Sequence, residues 1–285
     1  SEVHRKVKIV NLPMTDPRWR KLAAKNIVEL QKGYNPDLMA LVNTYMRGAC
    51  AAKPERTSAG MGMVLSRDIF NTDAMGFVTG GFQKITDALA NKLDGKVMDG
   101  AGVTRVEEND GIVTTCYKKD GQEHIVKSKS AVMAVPPMIA LKLLPGLPDW
   151  KKEAMEKVIY GPITIVSVFL KRNIPWKRFN GAISADTIFQ GILDVTYDTE
   201  EDKNKDNPII YNFVISIPAS EKKEIETFLA KSDEEILEHT FKDFKRLIPD
   251  ADIEKYITGT KVTRFPIGEL ELSPEYFLEA LPELP

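Results

Sequence analysis

Two Asp-Gly pairs, Asp110-Gly111 and Asp120-Gly121, constrain the fold of this chain more than any other feature. Each pair lies between short segments in which apolar and polar residues alternate, and Asp-Gly between such segments is a strong hairpin signal. The sequence therefore predicts a small antiparallel β-meander. Its alternating segments are Lys96 to Met98, Val103 to Glu107, Ile112 to Lys118 and His124 to Val126.

The first 75 residues have a helical pattern instead. Asp16-Pro17 and Asn35-Pro36 each combine a capping side chain with proline at the first helical position, which predicts two helix starts. The first helix is expected to continue to Gly33, and the region from Ala51 to Asp73 is expected to be a loop or a short broken helix. The predicted inner faces are Trp19, Leu22, Ala23, Ile27 and Leu30, then Met39, Val42, Tyr45 or Met46, and Cys50.

After the meander, strand and helix patterns alternate. Ala131 to Val135 is expected to be a buried strand, and Ile163 to Leu170 is apolar on both faces, which is typical of a central strand. Helices are expected after Asp149 and Ser220, and after Ser232, where Glu235 completes a capping box. Further strands are predicted at Ile188 to Tyr197, Ile209 to Ile217 and Tyr256 to Phe265. The predicted fold class is α+β, with an antiparallel or mixed sheet flanked by helices and a separate meander.

Composition excludes several classes of protein. The 285 residues carry 39 basic and 41 acidic side chains without a long basic block, so nucleic acid is not an expected partner. No apolar run is long enough to cross a bilayer. The two cysteines are far apart, which fits a reducing compartment, and the predicted location is the cytoplasm. The missing initiator Met suggests that the chain was cut from a longer one.

Metal and nucleophile signals are weak. His4, His124 and His239 lack paired ligand spacing, so no metal site is predicted. No Gly-x-Ser-x-Gly motif is present, and Cys116 lies within a predicted strand, where a buried, inert thiol is expected. The sequence assigns no catalytic residue.

Gly80-Gly81 precedes an amphipathic helix with one apolar stripe of Phe82, Ile85, Leu89 and Leu93. The glycines permit a tight turn and close backbone approach at the helix N-terminus. A plain packing turn would have the same sequence. The pair becomes informative only with the motifs that follow it.

Those motifs occur in a fixed order between about residues 76 and 176. They are Gly80-Gly81-Phe82-Gln83, Ala88-Leu89-Ala90, Gly102 to Val106, Asp120-Gly121, Ala131 to Pro137, Leu144-Pro145 and Tyr160-Gly161-Pro162. The series resembles the middle of the flavin-containing amine oxidase superfamily, which includes monoamine and polyamine oxidases, protoporphyrinogen oxidase and phytoene desaturase-like enzymes. Each motif is loose by itself, so the order and spacing carry the resemblance.

The resemblance implies a discontinuous domain organisation. Residues 1–75 and 139–265 correspond to two parts of a substrate domain, the first of them helical. Residues 76–138 correspond to a partial FAD-binding domain with the Gly-Gly helix and the meander, and 266–285 to a truncated return toward that domain. Both outer flavin segments are missing from the sequence. FAD is therefore expected as the cofactor of the full-length parent, and this chain alone is expected to be purified colourless and inactive.

Site residues follow from the resemblance only in part. Val103 corresponds to a position whose backbone contacts the adenine, and Ala134 to a strand end near the same half of FAD. Phe265 and Pro266 correspond to a strand end that lines the substrate cavity. For Val103 and Phe265, an ordinary place in a core is the alternative.

The implied reaction is transfer of a hydride equivalent from a C–N or C–C bond of an apolar substrate to flavin N5. Amine-oxidising members often carry a lysine where this chain has Thr164 and Ile165. That departure favours desaturase-like or porphyrinogen-oxidase-like chemistry on a larger apolar substrate. The alternative function is a non-catalytic module that binds an apolar ligand or a protein. Peripheral membrane contact and the oligomeric state are left open.

Overall fold

The computed structural model describes residues 11–71, 78, 80–196 and 207–283, with side chains of 66–71 excluded. The chain divides into two compact units. The large unit comprises Ser1–Met75 and Ile159–Leu278, and the small unit comprises Gly76–Val158 and Glu279–Pro285. Each unit is described by itself below.

The elements are numbered in chain order. The helices are α1 Pro17–Ala23, α2 Val28–Gln31, α3 Pro36–Cys50, α4 Ala59–Asn71, α5 Gln83–Lys92, α6 Pro137–Leu143, α7 Asp149–Glu156, α8 Lys222–Leu229 and α9 Asp233–Leu247. The strands are β1 Gly102–Asn109, β2 Ile112–Lys119, β3 Gln122–Ser128, β4 Tyr160–Leu170, β5 Gly181–Ile183, β6 Gly191–Asp194, β7 Ile209–Ser216 and β8 Ile257–Leu270. Together they confirm the α+β class.

The small unit contains the predicted meander. Strands β1, β2 and β3 pair in that order, antiparallel throughout. All four residues of the two Asp-Gly pairs have positive φ, between 52° and 77°, as tight hairpin turns of this type require. The turn prediction is confirmed. Lys96 to Met98, however, does not form a strand.

The predicted strand at Ala131 to Val135 is also wrong. The segment has no regular structure, and the Val132 side chain is 93% exposed. Its apolar run indicated burial, but the described elements do not cover it.

The unit boundary differs from the predicted domain boundary as well, because residues 139–158, with α6 and α7, belong to the small unit.

The large unit is built on a five-stranded sheet in the order β5-β6-β7-β4-β8, with every pair antiparallel. Strand β4 has a neighbour on each side, which confirms that it is an interior strand. Exposure alternates along β4, so the sheet has two distinct faces. On one face Val166 and Val168 are fully buried, and helix α9 covers it with Ile236 and Phe244. We call the opposite face, which carries Ile163, Ile165 and Ser167 in β4, the open face.

Helix α9 begins as predicted. The Ser232 side chain accepts a hydrogen bond from the Glu235 amide, and the Glu235 side chain accepts one from the Ser232 amide. This is a complete capping box. The capped end fixes where the helix starts beneath the sheet.

The first helical region departs from prediction in two ways. The helix expected to continue to Gly33 is interrupted because the Ile27 amide donates to the Thr57 carbonyl instead of continuing the helix. An unbroken helix of 13 residues, α4, then occupies much of the segment expected to be a loop or a short broken helix. Its Gly62 allows close packing, since a Cβ there would approach the Ile27 Cδ1 to 2.8 Å.

Candidate functional site

Three rows of paired residues cross the open face of the sheet. In antiparallel sheets directly paired residues project to the same face, so the register fixes each row. The first row runs Ser216, Ile163 and Phe265; the second Ile183, Gly191, Val214, Ile165 and Thr263; the third Gly181, Leu193, Asn212, Ser167 and Lys261.

The rows differ in polarity. The first two are largely apolar across β4, where Ile163 and Ile165 are half-buried. The third is polar at its centre, because the Ser167 Oγ lies 2.7 Å from the Asn212 Oδ1 in a hydrogen bond. The open face therefore changes from apolar at Ile165 to polar at Ser167, two residues further along β4.

An apolar cavity of about 500 Å³ lies between α3 and the β5-β6-β7 end of the open face. Its volume is in the range of small-molecule sites. Residues of the second and third rows form its sheet wall. The lining comprises Leu41, Tyr45, Gly48, Ala49, Gly181, Ala182, Ile183, Gln190, Gly191, Leu193 and Val214.

Small residues create this cavity. Gly48 faces the sheet, and a Cβ added there would lie 3.3 Å from the Gln190 Cβ. Gly181 and Gly191 occupy the facing strands. Gln190 is held in place because its side-chain oxygen accepts a hydrogen bond from the Ser216 amide at 2.6 Å. Sequence reasoning missed the cavity; glycines within strands and helix α3 were the available signal.

Titratable groups gather where β8 ends. Burial raises the pKa of Glu269 and of Glu271. Glu271 is almost wholly buried, and Arg56 Nε donates to it at 2.7 Å. Burial, with a smaller contribution from Glu269, raises the pKa of the Cys50 thiol to about 12 and also raises the pKa of the Tyr160 hydroxyl. Cys50 and Tyr160 therefore stay protonated at neutral pH, so neither supplies an anionic nucleophile.

Phe265 and Pro266, the predicted substrate-lining residues, lie on β8 in the large unit. Phe265 is 46% exposed and pairs with Ile163 on the open face. Pro266 is exposed next to it, outside the regular pairing. The open face thus includes Phe265 within the first row, and a role in substrate binding stays a prediction.

Val103 and Ala134, the predicted cofactor-binding residues, lie in the small unit. Val103 is 41% exposed on β1, beside an irregularity in the pairing between Val103 and Arg105. Ala134 is exposed in the irregular segment before α6. Their contact with a cofactor stays a prediction.

The described residues contain no cluster of side chains suited to a metal ion. Within the same residues, no helix combines the length and apolar character required to cross a bilayer. His124 stacks on Tyr117 with ring centroids 5.2 Å apart. Cys116, expected to be buried, is partly exposed.

The described fold thus combines a helix-covered antiparallel sheet, which holds an apolar cavity, with a separate unit built on a β-meander. Residues 15–272 match the family described as flavin containing amine oxidoreductase. The chain belongs to this family. No similar sequence was found among curated proteins.

Solved structures agree with this fold. A putrescine oxidase variant superposes with a TM-score of 0.73 at 16% identity, covering 91% of this chain and 59% of that one. Cyclohexylamine oxidase from Brevibacterium oxydans IH-35A gives 0.73 at 13% identity, covering 99% and 65%. A protein described as a protoporphyrinogen oxidase, from Exiguobacterium sp. 255-15, gives 0.59 at 13%, covering 85% and 56%. The chain thus spans about three fifths of the length of these proteins.

Proposed function

We propose that this chain is the substrate-binding core of an FAD-dependent oxidoreductase that oxidises a largely apolar substrate. The proposal rests on the apolar cavity and on the sheet register. The register connects the cavity to Ile165, which lies at the centre of the open face. Amine-oxidising relatives often carry a lysine where this chain has Thr164 and Ile165, and Ile165 is the one of the two on the open face. An isoleucine there favours oxidation of a C–C bond over oxidation of an amine.

The register connects the cavity with Ile165. Val214 lines the cavity and pairs directly with Ile165, which in turn pairs with Thr263. Adjacent strands lie about 4.8 Å apart, so a ligand that fills the cavity and extends over one strand reaches Ile165. Phe265 and Ile163 would then form an apolar wall beside the ligand and exclude water from it.

An edge strand of the small unit supports a proposed contact with the adenine half of FAD. Strand β1 is an edge strand, so along one side its backbone groups are unpaired within the described sheet. Val103 is exposed on that strand, next to the pairing irregularity. A main-chain N–H and C=O at such an edge can bind a base without any special side chain. We therefore propose Val103 for the adenine contact, with Ala134 near it.

Bound FAD would supply acceptance of a hydride equivalent at N5. The chain's own contribution would be to orient the substrate along the open face and to keep water away from it. The described residues bring no metal cluster and no low-pKa cysteine into this region. Orientation and shielding are thus the functions that this arrangement supports.

Anaerobic flavin reduction tests the proposal. The FAD-loaded full-length parent protein is mixed with putrescine, cyclohexylamine, a reduced porphyrin or a polyene, and flavin absorbance is followed. We expect bleaching with an apolar substrate and none with the two amines. The I165K variant, compared with I210K at another position of the open face, tests whether this site sets the substrate class.

Rapid bleaching by putrescine or cyclohexylamine would contradict the preference for C–C oxidation. If no substrate reduces the flavin while an apolar dye still binds competitively with polyenes, the non-catalytic binding module becomes the better assignment.

A further inference from the structure

We propose that the third row of the open face binds a carboxylate at one end of the apolar substrate. Lys261 is the residue that makes the site prefer an acidic substrate to a neutral one. The inference rests on the proposed function, since it extends the same site. It depends on the register of β7, β4 and β8 and on the hydrogen-bonding capacity of three side chains.

The polar groups lie side by side on one face. Ser167 pairs with Asn212 on one side and with Lys261 on the other. The Ser167–Asn212 hydrogen bond involves the amide oxygen of Asn212, so the two amide hydrogens of Asn212 take no part in it. The row therefore presents N–H donors toward its surroundings.

Lys261 adds a positive charge to these donors. It is exposed on β8, and among the ion pairs between described residues none involves Lys261. Nearby basic side chains behave differently: Arg264 on the same strand pairs with Asp233, and Lys255 pairs with Asp252 at 2.7 Å. Lys261 is thus a cation on the open face that a ligand can neutralise.

The same row leads into the cavity. Asn212 pairs with Leu193, and Leu193 pairs with Gly181; both Leu193 and Gly181 line the cavity. A ligand that occupies the cavity with an apolar body can therefore place an acceptor group over Asn212 and Lys261. A carboxylate matches both a donor amide and an ammonium group, and charge-assisted hydrogen bonds are stronger than neutral ones.

The position of the row indicates which end of the substrate is acidic. Ile165 lies between the polar row and the first row with Phe265. Along β4, Ile165 and Ser167 are about 7 Å apart, from the rise per residue of a strand. The carboxylate would thus bind away from the Phe265 end of the sheet, and the apolar part of the molecule would lie over Ile165.

Binding of a matched ligand pair tests the inference without flavin. Dodecanoate and methyl dodecanoate have the same chain and differ in charge. We expect wild-type protein to bind dodecanoate about ten-fold more tightly than the ester, which is the effect of one charge-assisted hydrogen bond. The K261M variant should reduce the ratio to about two-fold or less, and K261R should retain it.

The control variant is K242M, because Lys242 is exposed on α9, which covers the other face of the sheet. Circular dichroism melting confirms that each variant is folded. Failure of wild-type protein to bind dodecanoate, a ratio near one, or an unchanged ratio in K261M would overturn the inference. Because no flavin is needed, a negative flavin-reduction result and a negative binding result are separate outcomes.

Discussion

The large and small units bury their apolar side chains to very different extents. In the large unit a continuous cluster that includes Val166, Tyr211, Phe213 and Phe244 is almost inaccessible to solvent. In the small unit, large apolar side chains are exposed on and beside helix α5 and on strands β1, β2 and β3. They include Phe82, Ile85, Leu89, Leu93, Val103, Ile112, Ile125 and Val126, each at least 41% exposed.

The difference shows that the two units rely on different sources of stability. The large unit contains its own core, whereas the small unit is held mainly by the backbone pairing of its meander and a few buried residues such as Val106 and Ala140. Exposed apolar side chains in such number are typical of a binding face. Under the proposed function, further parts of a flavin-binding domain would cover it.

The largest expected effect is the loss of stability caused by truncating a core side chain of the large unit. Phe213 is fully buried and contacts the rings of Phe189 and Phe244 at centroid distances of 5.0 and 5.7 Å. F213A should lower the free energy of unfolding by about 3–5 kcal/mol because it removes buried contacts and leaves a cavity. Urea titration followed by circular dichroism measures this change.

The matched truncation in the small unit is I125A, at a side chain that is 64% exposed. It should change the free energy of unfolding by less than about 0.5 kcal/mol. Equal losses in the two variants would show that Ile125 is buried in solution and would break the comparison.

An intermediate effect is expected from glycines in the two sheets. An alanine Cβ at Gly161 would lie 2.5 Å from both the Ala51 Cβ and the Ile217 carbonyl oxygen. G161A should therefore cost about 1–3 kcal/mol through overpacking. At Gly102 the nearest atom to such a Cβ is 4.0 Å away, so G102A should leave the melting temperature unchanged or slightly raised. A comparable loss in G102A would contradict the openness of β1.

The smallest effect is a pH dependence of opposite sign in the two units. Burial raises the pKa of Glu269 above the unfolded value, so the carboxyl stabilises the fold at low pH and that stabilisation is lost as the pH rises through its folded pKa. E269Q should therefore be more stable than wild type at pH 7, and the difference should vanish below the unfolded pKa of Glu269.

Glu107 in the small unit should behave in the reverse way. A hydrogen bond from Arg105 lowers the pKa of Glu107, so its stabilisation is present at neutral pH and is lost as the pH falls through its folded pKa. E107Q should be slightly less stable than wild type at pH 7. Melting temperatures of both variants between pH 3 and pH 8 measure the two trends, and trends of the same sign would contradict this assignment.

Local chemistry made part of the fold predictable. The Asp-Gly pairs fix the hairpin turns because few other residues adopt positive φ at both positions, and the Ser232–Glu235 box fixes the start of α9. Long-range packing was not predictable in the same way. Gly62 suggested a loop or a broken helix, yet it lies within the unbroken helix α4, where the close approach of Ile27 needs a residue without a side chain.

The candidate site was predictable only at single positions. The resemblance identified Phe265 and the missing lysine at Thr164 and Ile165. It could not place Asn212 and Lys261 beside Ser167. Those neighbours depend on strand register, which a single sequence does not reveal for strands far apart in the chain. The cavity depends on α3, which contains Gly48, packing over glycines of β5 and β6, and no local pattern encodes that arrangement.

Strand β8 sets a fixed distance between Lys261 and Phe265. Between Lys261 and Phe265 its pairing with β4 is regular, and the two register shifts lie on either side of this stretch. The four-residue interval corresponds to about 13 Å at the usual rise of an antiparallel strand. If the two residues hold opposite ends of one ligand, this interval sets the length of molecule that fits. Deleting one residue between them would turn the two side chains to opposite sides of the sheet, so that they could no longer contact the same ligand.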